Sequence, residues 1–119
     1  MRGLIVDDAI FMRAVIRRIL EEMGFTELAE AGNGTEAIQV YASFKPDVVT
    51  MDITMPEMDG LTALKKILEI DPKAKVIICS AMGQEGIVRE AIKCGAKHFI
   101  VKPFEKEKVI TNINAVMNA

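Results

Sequence analysis

The chain is poor in aromatic, sulfhydryl and imidazole chemistry. Of its 119 residues 5% are aromatic, two are cysteines and one is a histidine. Aromatics this scarce leave the core to Ile, Val, Leu, Met and Ala, and offer few rings to sandwich a flavin. Cys79 lies within an apolar run and Cys94 just before Gly95. They lack metal-ligand spacing, and neither a disulfide nor a zinc site is expected. His98 opens an apolar run and reads as a surface or edge residue rather than a catalyst. No apolar stretch approaches the roughly 18 residues of a membrane helix, and Asp7-Asp8 interrupt the first run too early for a signal peptide. A cytoplasmic protein with no membrane insertion is expected. The formal net charge of -2 argues against nucleic acid bound by phosphate neutralisation. No GxxxxGK(S/T) motif supports nucleotide hydrolysis.

What is present reads as one domain over residues 1–119, large enough to bury somewhat over ~60% of its unfolded surface. Short apolar runs alternate with helical spacing five times, the pattern of repeated βα units. The runs are Leu4–Val6, Leu28–Ala31, Val48–Met51, Val76–Cys79 and His98–Val101. The second includes Glu30 and follows Glu27, which suits a sheet edge. Helical faces are expected over Phe11–Met23, stopped by Gly24, and from Asn33-Gly34-Thr35-Glu36 through Phe44. Asn33 with an acid three residues on is an N-terminal capping pattern. Asp59 is a plausible cap for the helix carrying Leu61, Leu64, Ile67 and Leu68, which Asp71-Pro72 ends. A short helix over Gln84–Lys93 carries Ile87, Val88, Ala91 and Ile92 on one face, and a last helix runs from about Glu105.

The chemistry sits at the ends of the runs. Leu4–Val6 leads into Asp7-Asp8, Val48–Met51 into Asp52, and Phe99-Ile100-Val101 into Lys102. In an open parallel sheet the carboxyl ends of the strands share one edge, where ligands bind. Three acids and a lysine would then meet, and acids so close repel unless a cation intervenes. Carboxylates around a divalent metal, with a lysine nearby, suit a phosphoryl group. Asp52 is the candidate nucleophile, forming an acyl phosphate. Asp7, Asp8 and Asp52, with the Thr54 backbone carbonyl, are candidate Mg2+ ligands. Lys102 and the Ser80 hydroxyl are candidates to hold phosphoryl oxygens. Blander readings exist for each residue alone: Asp7 or Asp8 as helix caps, Ser80 as a turn residue, Lys102 as a solvated charge. Their common placement at strand ends favours the site.

Val6-Asp7-Asp8, Met51-Asp52-Ile53-Thr54-Met55-Pro56-Glu57-Met58-Asp59-Gly60, Cys79-Ser80-Ala81, and Gly95-Ala96 through Val101-Lys102-Pro103-Phe104 together resemble a response-regulator receiver domain. The likeness spans the chain and is strongest to single-domain chemotaxis regulators. It implies a flavodoxin-like, doubly wound (βα)5 fold, a five-stranded parallel sheet of order 2-1-3-4-5. It further implies that Asp52 accepts a phosphoryl group from a sensor histidine kinase with Mg2+, with Asp8 the direct metal ligand. Ser80 corresponds to the switch hydroxyl and Phe99 to the switch aromatic, which turns inward on activation. Lys102 corresponds to the family's lysine, and a cis Lys102–Pro103 bond is expected. A surface of the fourth helix, fifth strand and fifth helix would meet a flagellar motor switch protein, and a phosphatase is a further expected partner. Thr54 and Met82 correspond to positions that tune dephosphorylation. Met55 and Met58 flank the site as candidate partner contacts. A monomer is expected, and a signalling protein rather than an enzyme.

Within the family, a phosphorelay receiver or the receiver of a larger regulator is the alternative; the lack of a linker favours a free-standing protein. From another class, a haloacid-dehalogenase-like phosphatase also uses a strand-end aspartate and magnesium. That chemistry needs an acid two residues after the nucleophile, where this chain has Thr54. A flavodoxin-like electron carrier lacks its Ser/Thr-rich phosphate loop after the first run.

Overall fold

A computed structural model describes residues 1–55 and 58–118 of the chain. Pro56 and Glu57, part of the expected proline- and glycine-marked loop after Asp52, lie outside the described residues. Five strands alternate with five helices. The strands are β1 (Arg2–Val6), β2 (Glu27–Ala31), β3 (Val48–Asp52), β4 (Val76–Ser80) and β5 (His98–Val101). The helices are α1 (Ile10–Glu22), α2 (Gly34–Phe44), α3 (Gly60–Ile70), α4 (Glu85–Cys94) and α5 (Lys106–Met117). All strand pairs are parallel and the order is β2-β1-β3-β4-β5, as the resemblance implies.

Side chains alternate across the sheet with the period of two that a strand imposes. Leu4, Val6, Val49, Met51, Val76 and Ile78 face the core under α2 and α3. Ile5, Val48 and Ile77 face the opposite core, built with α1 and α5. Strands covered on both faces must be apolar throughout, and every residue of β3 and β4 is buried. β2 is an edge strand, and Glu30 there accepts from Arg13 at 2.9 Å and Arg17 at 2.7 Å. The guanidinium of Arg17, against some desolvation, leads in holding the Glu30 carboxyl below its ordinary pKa.

Helix ends follow local chemistry. Asn33 accepts from the Glu36 amide and Asp59 from the Thr62 amide, both at 2.8 Å, which satisfies first-turn donors. Gly24 and Gly95, at φ 95° and 122°, end their helices in the left-handed region open to glycine. Ala9, without a side-chain cap, starts α1. Its amide is held by Asp7 Oδ1 at 2.9 Å, so Asp7 shapes the turn without being the cap residue. β3 and β4 run one residue further than the apolar runs, and take in Asp52 and Ser80. The ladder continues through Ile53 N to Cys79 O at 3.0 Å and Lys102 N to Ser80 O at 2.7 Å.

The face expected on the fourth helix is only half covered. Val88 and Ala91 are buried, whereas Ile87 and Ile92 are exposed. They lie on the same apolar face, about 40° outside the buried pair on either side, so only the middle of that face is covered. Met55 is buried in the core, so it is withdrawn from the partner contacts suggested for it.

α2 and α3 are tied by the Tyr41 hydroxyl, which donates to Asp71 Oδ2 at 2.8 Å. Burial, and then Asp71, push the Tyr41 pKa up. Tyr41→Phe should therefore lower unfolding free energy by about 1 kcal/mol. Urea denaturation should show a lower midpoint at unchanged m-value.

Candidate functional site

The sheet order brings the charged ends together. The chain leaves β1 for β2 on one side and returns to β3 on the other, which opens a crevice at the carboxyl ends of β1 and β3. Asp7 and Asp8 stand after β1 and Asp52 ends β3. One carboxylate oxygen from each lies within 4.8 Å of the others. Asp7 and Asp52 are 4% and 6% exposed, and Asp8 is open to solvent.

Lys102, just past β5, reaches across the end of β4. Its Nζ lies 3.2 Å from Asp7 Oδ2 and 3.3 Å from Asp52 Oδ2. The Lys102–Pro103 bond is cis, as expected. Each carboxylate has a second anchor, which for Asp7 is the Ala9 amide on Oδ1 at 2.9 Å. Thr54 donates its amide to Asp52 Oδ1 at 3.2 Å. Arg13 Nη1 donates to the Asp7 carbonyl at 2.6 Å and holds the turn that carries the acidic pair. Gly60 is needed behind Asp52: a Cβ there would meet the Asp52 carbonyl oxygen and the Ile53 Cα.

Burial is the largest influence on Asp52 and raises its pKa above the usual carboxylate value. The Thr54 amide and the Lys102 charge pull it back without cancelling, and Asp7 adds to the rise. Burial works against the Lys102 ammonium, yet Asp52 and Asp7 outweigh it and raise its pKa. Cys79, beside Asp52 in the sheet register, is fully packed. Burial, and then Asp52, push its thiol up to about 12, so it is inert at neutral pH.

This donor set fits Mg2+. The ion takes one or two carboxylates with waters and phosphate oxygens, and two buried acids beside a third make a hard, anionic oxygen cluster.

Ser80, almost fully buried, ends β4 between Asp52 and Lys102 in strand order. It also lines an apolar groove of about 650 Å³ with Met82, Val88, Ile92, Phe99 and Val101. Phe99 is 40% exposed, turned outward beside that groove. Both cysteines are free, and His98 is half-buried on edge strand β5. Two contributors carried no sequence motif. Arg13 supports Asp7, and Gln84 joins Thr54 to Ala81 through its side-chain amide. Their roles depend on reach across loops, which spacing does not encode.

Residues 4–114 match the response regulator receiver domain family. The chain is 56% identical over 115 residues to the chemotaxis protein CheY of Thermotoga maritima, with 97% of this chain and 96% of that protein covered. It is 57% identical over 117 residues to CheY of Bacillus subtilis, with 98% of each covered. Among solved structures, the Borrelia burgdorferi CheX-CheY-BeF3-Mg2+ complex includes a chain that superposes with a TM-score of 0.93 at 42% identity. The overlap covers 98% of this chain and 88% of that one. A Clostridium thermocellum response regulator receiver domain superposes at 0.92 with 29% identity, over 98% of this chain and 94% of that one.

A carboxyl whose folded pKa exceeds its unfolded value stabilises the fold below the unfolded pKa and loses that contribution as pH rises through the folded one. In its ionised form Asp52 is therefore a net cost to the metal-free fold. Asp52→Asn should raise the metal-free thermal midpoint by about 2–5 °C. The gain should shrink toward acid, where wild-type Asp52 takes up its proton; calorimetry across that range checks both.

Proposed function

The chain belongs to the response regulator receiver family, and from that membership we propose that it carries signals in a two-component chemotaxis pathway. It is a phosphorylation-activated switch. The observation that carries the reading is the Lys102 ammonium within 3.3 Å of carboxylates from two other strand ends, with Asp8 beside them. A charge-neutralised pocket of this kind suits a group whose charge is spread over three equatorial oxygens.

In the proposed reaction an Asp52 carboxylate oxygen attacks phosphorus of a phosphohistidine on a sensor kinase. The new O–P bond forms as the P–N bond breaks, and the imidazole nitrogen keeps the electron pair. Asp7, Asp8, Asp52 and the Thr54 carbonyl would hold Mg2+, which supplies charge neutralisation for the entering phosphoryl oxygens. Lys102 pairs with one phosphoryl oxygen and the Ser80 hydroxyl donates to another. Ser80 moves toward the site, and Phe99 turns inward into the space it leaves.

That movement reshapes the groove between α4 and β5, where a flagellar motor switch protein would dock. A phosphatase would act on the acyl phosphate, with Thr54 and the exposed Met82 governing access of water. Among the described residues no helix is long and apolar enough to cross a membrane, which accords with a cytoplasmic site of action. The chain promotes only its own phosphotransfer and dephosphorylation, and acts as a monomer.

Acetyl phosphate with Mg2+ should add one phosphoryl group to the wild type and none to Asp52→Asn, read by intact-protein mass spectrometry. Lys102→Ala should keep Mg2+ binding and lose the conformational response to beryllofluoride. The modified protein should gain affinity for a flagellar switch peptide. Transfer onward to a phosphohistidine domain, without that gain, would favour a relay.

A further inference from the structure

Gln84 directly precedes α4, and its side chain does not cap that helix. It crosses instead to the loop after β3. Its Oε1 accepts from the Ala81 amide at 2.7 Å, and its Nε2 donates to Thr54 Oγ1 at 2.6 Å. Thr54 in turn donates its amide to Asp52. Ala81 follows Ser80, whose carbonyl accepts from the Lys102 amide at 2.7 Å. One primary amide thus ties together the two loops that flank Asp52. It also occupies the backbone donor next to the Ser80 hydroxyl.

We propose that Gln84 is a positioning residue that latches the β4–α4 turn in its resting arrangement, so that phosphorylation of Asp52 must break the Ala81–Gln84 hydrogen bond. This rests on the reading of Asp52 as the phosphoryl acceptor. A phosphoryl group on Asp52 brings acceptor oxygens to the sheet edge where Thr54 follows β3 and Ala81 follows Ser80 at the end of β4. The turn answers by moving toward them, and the latch opposes that move while it holds the Ala81 N–H. A side-chain amide suits the task, because it offers an acceptor to Ala81 and a donor to Thr54 on one planar group. A contact made only in the resting state biases the equilibrium away from the active one. A ligand of the active state then binds less tightly in proportion to the populated fraction.

The experiment compares wild type, Gln84→Ala, Thr54→Val and the double variant. Titration calorimetry measures Mg2+ alone, then beryllofluoride at saturating Mg2+. Amide exchange by NMR follows Ala81 in metal-free protein. Gln84→Ala should bind beryllofluoride roughly 3- to 10-fold more tightly, bind Mg2+ as the wild type does, and exchange the Ala81 proton faster. Thr54→Val, which keeps the backbone amide and carbonyl, should give a smaller change in the same direction. The double variant should go no further than Gln84→Ala, since both changes release one bridge. Beryllofluoride affinity unchanged or weakened in Gln84→Ala, or Ala81 exchange unaltered, would overturn the latch. A wild type that takes up no beryllofluoride with Mg2+ would overturn the acceptor reading instead, so the two failures are told apart.

Discussion

An ammonium shared by two buried carboxylates is the constraint on which the rest of the structure turns. Asp7 and Asp52 are brought together because β1 and β3 pair directly. Two carboxylates with so little exposure repel each other, and burial raises the pKa of Asp52. Lys102 relieves this only by spanning the end of β4, since β4 lies between β3 and β5. The residue that ends β4 therefore sits beneath the span, and that residue is Ser80. That hydroxyl is buried, and in the proposed mechanism it would carry a change in charge at Asp52 to β4 and the groove beyond it.

Much of this was legible in the sequence because the apolar periodicity is clean. Five apolar runs, their helical partners and the charges at the run ends all follow from spacing. So do the caps at Asn33 and Asp59. The strand order is different. β1, β3 and β4 are apolar on both faces, and nothing in such a strand names its neighbours; only Glu27 and Glu30 mark β2 as an edge. The order came from resemblance. The coverage of α4 was misjudged for a related reason, because an apolar residue at the margin of a helical face looks the same in sequence as one at its centre. Arg13 and Gln84 were unreadable, since each works by side-chain reach over a loop.

The exposed part of α4 gains meaning from its neighbours. Ile92, Met82, Phe99 and Val101 are exposed around the groove that Ser80 lines. Large apolar residues gathered at a groove mark a binding surface more than scattered ones do. Coupling between that surface and Asp52 requires an element with two arrangements whose balance both ends bias. The β4–α4 turn is placed for this: one side is hydrogen-bonded to the Lys102 backbone through the Ser80 carbonyl, and the other forms the groove wall.

Magnitudes set how strong such a bias can be. Moving a two-state equilibrium from 1:99 to 99:1 takes about 5.5 kcal/mol of differential interaction. Hydrogen bonds to charged groups contribute about 1.5–3 kcal/mol each. Two contacts to a phosphoryl group at the upper end of that range, or three near its middle, as proposed for Lys102, Ser80 and a loop amide, would supply that much. The resting state must be favoured by less than those contacts supply, or modification would leave the shape unchanged. Neutral hydrogen bonds in a half-exposed loop, such as those made by Gln84, fall in that weaker range of about 0.5–1.5 kcal/mol.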